Sequence, residues 1–261
     1  MFDIGVNLFD KRFDPEAVLL AAYKAGVEGI LIISSNLEEA VKAKEFCENF
    51  NTCPISLYFT AGVHPHHAKE WNADSKNILM GLIDVPHFAA IGECGLDFNR
   101  NFSTPEQQIF AFKEQIELAS THNLGLYLHE RDAFDTQVEL LTGHAKNTKF
   151  KIAHCFTGNQ AQLTQYLSLG CYIGVTGWVC DLKRGIDLRE AVGSLPLERM
   201  LLETDSPYLF PKTLKSKSRI NVPENIIHVS QEIAEIIGEN ADRILSKTKQ
   251  NAFKLFSAFK D

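Results

Sequence analysis

The sequence lacks the features of a membrane protein and of a disulfide-stabilised secreted protein. No apolar run approaches the roughly 20 residues that a membrane-spanning helix needs, and the first residues show no export signal. The six cysteines form no C-x-x-C pair and are spread through 261 residues. We therefore expect a cytoplasmic protein with reduced thiols and no membrane partner.

An excess of basic residues is also missing. Lys and Arg number 26 against 33 Asp and Glu, which gives a net charge of −7 and a pI near 5.7. This balance disfavours a protein that holds duplex nucleic acid along a broad surface, because neutralising phosphates requires basic groups. It is compatible with an enzyme that takes a single phosphodiester end into a small, locally positive pocket.

Short apolar runs separated by amphipathic segments recur along the chain. They cover residues 2–8, 29–34, 57–63, 88–92, 125–128, 150–153, 171–175 and 200–202. Their shortness, and the Gly residues that flank several of them, favour buried strands over buried helices. Helix start signals stand between the runs, such as Asp14 followed by Pro15.

Eight strands that alternate with helices predict a parallel arrangement with right-handed crossovers. At this length the leading architecture is a single-domain (β/α)₈ TIM barrel over residues 1–261, and an open doubly wound sheet is the second choice. No glycine-rich phosphate loop follows a strand, which removes the usual reason to prefer the open sheet. A long irregular stretch, 207–223, precedes two helices predicted at 224–237 and 240–256.

Side chains that can bind metal stand at the carboxyl ends of four runs. Glu93, His129 and His154 follow the fourth, fifth and sixth runs, and Glu203 and Asp205 follow the eighth. In a barrel all these ends meet at one rim, where such folds place their active sites. A single histidine at a strand end is more often structural than a metal ligand, and Glu93 or Asp205 alone is explained equally well as a helix cap. Together, Glu93, His129, His154 and Asp205 predict a site for Zn²⁺, Mn²⁺ or Mg²⁺.

Residues next to these candidates have less specific interpretations. His64 ends the third run and is expected to face the same rim. Arg131 is a candidate phosphate contact, and Asp132 is expected to cap the following helix. Cys94 and Cys155 directly follow two of the metal candidates, and the alternation of side chains along a strand predicts that both point into the core.

Seven strings, ordered along the whole chain, carry a family resemblance. They are FDIGVNL at 2–8, GVHPH at 62–66, IGECGLD at 91–97, HCFTG at 154–158, TGWVC at 176–180, LETDSPY at 202–208 and NAFKLF at 251–256. The ordered set resembles the TatD family of metal-dependent deoxyribonucleases. The resemblance implies a barrel, a divalent metal and 3′→5′ exonuclease hydrolysis of single-stranded DNA, with RNA as a second candidate substrate and DNA repair as a candidate role.

The resemblance also implies roles for individual residues. Glu93, His129 and His154 would be metal ligands. Glu203 and Asp205 would be acidic catalytic positions, and His64 a further residue of the pocket. For the mechanism, we expect Asp205 also to bind the metal and to hold or deprotonate the attacking water, and Glu203 to be a second acid/base or an orienting group.

The chain departs from the family on its first strand. Most relatives carry a His-x-His pair there that binds a second metal, whereas Gly5 and Asn7 occupy those places here. Because missing imidazoles weaken a zinc-type site, Mg²⁺ is the preferred cation, with Mn²⁺ or Zn²⁺ as alternatives. The number of metals stays open. Candidate substrate contacts are His64, Arg131 and Arg219, the last lying in the long loop.

Two other functions are compatible with the sequence. The first keeps the barrel and the metal but cleaves an amide or ester bond, as members of the wider superfamily do. The second is a catalytically inactive binding protein, disabled by the loss of the His-x-His pair. For the nuclease, the expected substrates are single-stranded DNA or RNA ends, and the chain is expected to act as a monomer.

Overall fold

Eight parallel strands form one continuous sheet in the computed structural model, which describes residues 1–257. The strands are β1 (Phe2–Val6), β2 (Gly29–Ile32), β3 (Ser56–Ala61), β4 (Phe88–Asp97), β5 (Leu126–Arg131), β6 (Lys151–Ala153), β7 (Cys171–Val175) and β8 (Met200–Leu202). Each strand pairs with the next along the chain, so the order in space follows the order in sequence. The predicted (β/α)₈ barrel is confirmed. The proposed single domain reaches residue 261, and its last four residues lie outside the described part.

Helices connect the strands on the outside of the sheet. They are α1 (Pro15–Lys24), α2 (Leu37–Asn49), α3 (Ala73–Met80), α4 (Pro105–Thr121), α5 (Phe134–His144), α6 (Gln160–Ser168), α7 (Ile186–Val192), α8 (Ile226–Ile237) and α9 (Ala241–Phe256). The two closing helices therefore begin within two residues of their predicted starts. Asp14 caps α1 as predicted, because its side chain accepts a hydrogen bond from the Ala17 amide at 3.2 Å. None of the helices within residues 1–257 is long and apolar enough to cross a bilayer.

One predicted cap is wrong. Helix α5 begins after Ala133, whose amide donates to the Glu130 carboxylate at 2.8 Å. Asp132 has a left-handed backbone, with φ of 53°, and its carboxylate instead accepts a hydrogen bond from Asn99 at 2.7 Å. The sequence gives the right residue type for a cap, but the turn carries that residue away from the helix.

Strand β4 is longer than its apolar run and irregular. Its register against β5 shifts between Ile91 and Cys94, and Gly92 and Gly95 have φ of 153° and 140°. A Cβ atom at either glycine would lie within 2.4 Å of a β5 carbonyl oxygen. The two glycines thus let the strand run close to β5 through its bend. As a result, Glu93 lies within the strand rather than after it.

The seam between β1 and β8 depends on a side chain. One isolated bridge joins Val6 to Ser206, the Asn7 backbone amide donates to the Ser206 carbonyl at 2.9 Å, and the buried carboxylate of Asp3 adds further links. It accepts hydrogen bonds from the Thr204 amide at 2.9 Å, from the Thr204 hydroxyl at 2.6 Å and from the Gly5 amide at 3.1 Å. Burial raises the pKa of Asp3 to about 8 even though these donors lower it. Asp3 therefore takes the place of ladder hydrogen bonds where the barrel closes.

The amino-terminal end of the barrel is filled by aromatic side chains. Phe256 of α9 packs against Phe2, Tyr58 and Phe150, with ring centroids 5.6, 5.6 and 6.0 Å away. All four side chains are buried. This end is a packed hydrophobic core, so the opposite rim is the one left open for a site.

Replacing Asp3 tests the seam. Asp3→Ala would leave three buried donors without an acceptor, and we expect the free energy of unfolding to fall by about 3 kcal/mol. Chemical denaturation measures the loss. The matched control is Asp84→Ala at an exposed position, which should change stability by less than about 0.5 kcal/mol. Equal stabilities of the two variants would contradict this account of the closure.

Candidate metal centre

Glu93 lies at the centre of a ring of imidazoles on the carboxyl-terminal rim. Its Oε1 atom is 2.7 Å from His129 Nδ1, 3.3 Å from His64 Nε2 and 3.6 Å from His154 Nε2. Glu93 is only 6% exposed, and His64 and His154 are also buried. Three separate strands or strand ends thus deliver nitrogen donors to one carboxylate, as the rim argument predicts.

Asp205 lies beside this ring, just past the end of β8. Asn7 donates a hydrogen bond from its side-chain amide to Asp205 Oδ1 at 3.0 Å and to the Ser206 carbonyl at 3.2 Å. Donor atoms of Asp205, His154 and Cys155 lie within 4.8 Å of one another. Asn7 therefore holds a carboxylate of the site in place.

Glu203 supports the site from below and lines neither cavity of the rim. Its Oε2 atom lies 2.6 Å from His154 Nδ1 and accepts a hydrogen bond from the Tyr127 hydroxyl at 2.9 Å. Its Oε1 atom accepts from the Cys155 amide at 2.5 Å. With Nδ1 engaged by Glu203, Nε2 of His154 is turned towards Glu93. Of the two roles predicted for Glu203, this geometry favours the orienting one.

Space for Glu203 comes from two glycines. A Cβ atom at Gly5 would lie 2.5 Å from Glu203 Oε2 and 2.8 Å from the Tyr127 hydroxyl. A Cβ atom at Gly174 would lie 2.4 Å from Glu203 Oε1. The buried carboxylate therefore fills the volume that a side chain at position 5 would need.

Charges in the cluster perturb one another strongly. Burial alone would raise the pKa of Glu93, but the imidazoles of His64, His154 and His129 hold it well below its usual value. Burial lowers the pKa of His154, yet the Glu203 and Glu93 carboxylates raise it to about 10. His129 behaves similarly, since Asp97 and Glu93 raise its pKa to about 9 against the effect of burial.

The residues present fit a divalent cation. Imidazole nitrogens and carboxylate oxygens are the donors that Zn²⁺, Mn²⁺ and related ions take in proteins. His64, Glu93 and His129 offer three such atoms within 4.8 Å of one another. The other ring nitrogen of His129, Nε2, is buried and faces Asp97 Oδ2 at 3.7 Å, beyond hydrogen-bond distance.

Two adjoining cavities open onto the cluster. The larger has a volume of about 840 Å³ and the smaller about 370 Å³. Five residues line both of them, namely His129, His154, Cys155, Asp205 and Tyr208. The candidate metal centre therefore lies where the two cavities meet.

The structure separates the three predicted substrate contacts. His64 lines the smaller cavity beside Glu93, and Arg131 is exposed on the wall of the larger one. Arg131 has no ion pair with any residue of the described chain, so its charge is available to a ligand. Arg219 lies on the 207–223 loop, 5.6 Å from the centroid of the Phe210 ring, and lines neither cavity.

One of the two predictions of a core cysteine is confirmed and the other is wrong. Cys94 is fully buried as predicted, whereas the prediction for Cys155 is wrong. Cys155 follows the end of β6 with a left-handed φ of 46°, is half-buried and lines both cavities. Side-chain alternation holds only along a strand, and its extrapolation past the strand end fails here.

Tyr127, whose hydroxyl donates to Glu203, is not predicted as a site residue by the sequence, because a buried tyrosine in a strand normally indicates packing.

The family model described as TatD related DNase matches residues 2–257. The chain belongs to this family. The predicted family resemblance is thereby confirmed, and with it the interpretation as an enzyme.

Individual proteins agree with this assignment. The chain is 43% identical over 260 residues to a Citrobacter rodentium protein named 3′-5′ ssDNA/RNA exonuclease TatD, covering 98% of this chain and 97% of that protein. It is 42% identical to the Escherichia coli K12 protein of the same name, covering 98% of each. Among solved structures, a TatD homologue from Escherichia coli K12 superposes with a TM-score of 0.88 at 28% identity over 98% of each chain.

Cation binding at this centre should depend on pH. Burial raises the pKa of Asp205 to about 7, and the pKa values of His129 and His154 lie at about 9 and 10. A cation must displace the protons that these groups carry, so affinity should rise as the pH is raised from 6 to 9, by up to about tenfold per unit for each proton released.

Calorimetric titration with Mg²⁺ and Mn²⁺ at several pH values measures this dependence. The control is Asp205→Asn, which has no proton to lose and should flatten the part of the dependence near pH 7. An affinity that does not change across the range would show that these groups are not the ligands.

Proposed function

We propose that the chain is a metal-dependent 3′→5′ exonuclease that removes nucleotides from single-stranded DNA or RNA ends. The observation that carries the proposal is the convergence of Glu93, His129, His154 and Asp205 where two cavities of unequal size meet. The names of the relatives at 42–43% identity support the same reaction and the same substrates.

Glu93, His129, His154 and Asp205 would hold the cation, with His64 close to Glu93. When bound, a divalent cation lowers the pKa of its water and polarises the phosphoryl oxygen. Mg²⁺ is the proposed ion because of the two carboxylates, and the imidazoles make Mn²⁺ and Zn²⁺ the alternatives.

The chain's own residues then position the reacting groups. Asp205, fixed by Asn7 on one oxygen, accepts the proton of the attacking water. Glu203 and Tyr127 keep His154 in one orientation from the buried side. Because Glu203 is fully buried, its contribution to the reaction passes through His154 rather than through contact with substrate.

The two cavities suggest how a strand end is bound. Two arginines, Arg131 and Arg184, line the larger cavity together with Trp178. No Lys or Arg of the described chain lines the smaller cavity. The continuing strand, with its phosphates and bases, matches the larger side, since arginines bind phosphates and aromatic rings stack on bases. The smaller cavity then receives the single terminal nucleotide that is released.

Further properties follow from the same proposal. The chain is proposed to act as a monomer, since the two cavities and the candidate ligands are formed within a single copy. The six cysteines, all within the described part, are free, which supports a reducing compartment such as the cytoplasm. His64 and Arg131 are proposed substrate contacts. Arg219 would reach the substrate only outside the two cavities.

Removing either acidic ligand should abolish catalysis. We expect Glu93→Gln and Asp205→Asn to lower Mg²⁺-dependent release of mononucleotides at least about 100-fold, because each removes a charged ligand of the cation. The assay follows a 5′-labelled single-stranded oligonucleotide as it shortens in single-nucleotide steps. Glu38→Gln, at an exposed position of α2, is the matched control and should retain full activity. Full activity in either ligand variant would refute the site.

Arg131 should affect binding of the strand more than the chemical step. Arg131→Ala should raise KM about tenfold with little change in kcat, and should reduce the salt dependence of binding by roughly 0.7 in the log–log slope, as expected for one lost phosphate contact. Arg243→Ala on α9, which removes an exposed arginine paired with Glu239, is the control. Unchanged KM and salt slope in Arg131→Ala would exclude the larger cavity as the path of the strand.

A further inference from the structure

The side chain of Cys155 lines both cavities of the rim. Cys47, Cys94, Cys171 and Cys180 are buried. Cys53 is half-buried, but it lies between α2 and β3, with its sulfur 3.9 Å from the Leu19 carbonyl. The left-handed backbone at Cys155 brings its side chain to the wall shared by both cavities.

The sulfur of Cys155 has two further donors beside it. Ligand atoms of His154, Cys155 and Asp205 all lie within 4.8 Å of one another, and the three side chains are buried or half-buried. The residues come from two strand ends, β6 and β8. The Cys155 amide donates to Glu203, so the backbone that carries the thiol is itself anchored.

The chemistry of this trio differs from that of the neighbouring set. His64, Glu93 and His129 offer nitrogen and oxygen, whereas His154, Cys155 and Asp205 add a sulfur. Thiolate ligands select soft or borderline cations such as Zn²⁺ and Cd²⁺, and hard cations such as Mg²⁺ avoid them. One nitrogen, one sulfur and one oxygen, with a fourth position open to the cavity, suit a tetrahedral ion.

We propose that His154, Cys155 and Asp205 form a binding site for a thiophilic divalent cation, distinct in chemistry from the Mg²⁺ centre and sharing two of its residues. Binding breaks the S–H bond of Cys155, forms a sulfur–metal bond and releases the proton to solvent. No electrons are transferred. Because His154 and Asp205 cannot serve both ions fully, occupation of this site opposes the catalytic ion. That consequence for activity rests on the proposed nuclease function, whereas cation binding itself does not.

Titration of the full-length protein with Cd²⁺ tests the site directly. A cadmium–thiolate bond absorbs in the ultraviolet, so the wild type should develop this absorption and saturate at one Cd²⁺ per chain. Cys155→Ser should lose the absorption. Cys53→Ser, which removes the other half-buried thiol, should keep it. No absorption in the wild type, absorption that persists in Cys155→Ser, or its loss in Cys53→Ser would overturn the proposal.

A second variant covers the case in which Cys155→Ser fails to fold, which circular dichroism and thermal unfolding would reveal. Asp205→Asn keeps the thiol but removes the charged oxygen, and should weaken Cd²⁺ binding at least about tenfold while retaining the absorption at high Cd²⁺. An unchanged Cd²⁺ affinity in Asp205→Asn would overturn the three-residue site. A chain without nuclease activity that still passes both tests would refute the proposed function and leave this site in place.

Discussion

The buried carboxylate of Glu203 ties together three parts of the rim. It fixes Nδ1 of His154, accepts the Tyr127 hydroxyl and binds the Cys155 amide, so it sets both the orientation of an imidazole and the path of the chain after β6. A fully buried acid is costly unless its oxygens are engaged, and here both oxygens are. The cation centre therefore depends on a group that touches neither cavity.

A cation at this site would also offset negative charge, in addition to any role in the reaction. The chain has a net charge of −7, and Glu93 and Asp205 add carboxylates where a phosphate must approach. The Glu203 and Glu93 carboxylates raise the pKa of His154, and Asp97 and Glu93 raise that of His129, in both cases against burial. Protonation of these imidazoles would compensate part of the negative charge. A bound divalent ion would replace those protons with charge that faces the substrate. An acidic protein can then attract a nucleic acid at the cation centre alone, while the rest of its surface stays negative.

Much of the architecture could be predicted from the sequence, because eight apolar runs at regular spacing leave few alternatives to a barrel. The same reasoning brought Glu93, His129, His154 and Asp205 to one rim, since parallel strands end together. It failed where the backbone leaves regular geometry. The left-handed turns at Asp132 and Cys155 each carry a side chain to a place that strand or cap rules do not predict. Asp is among the residue types that tolerate this conformation, but nothing in the residue type signals it at Cys155. The role of Tyr127 could not be predicted from the sequence, because it depends on contacts that its hydroxyl makes with residues of other strands.

The missing side chain at Gly5 is a structural requirement of the first strand. The space that a side chain at position 5 would need is filled by the Glu203 carboxylate and the Tyr127 hydroxyl. They lie 2.5 and 2.8 Å from where a Cβ atom would be. A histidine at this position is thus excluded by volume unless the carboxylate moves, and moving it would release His154.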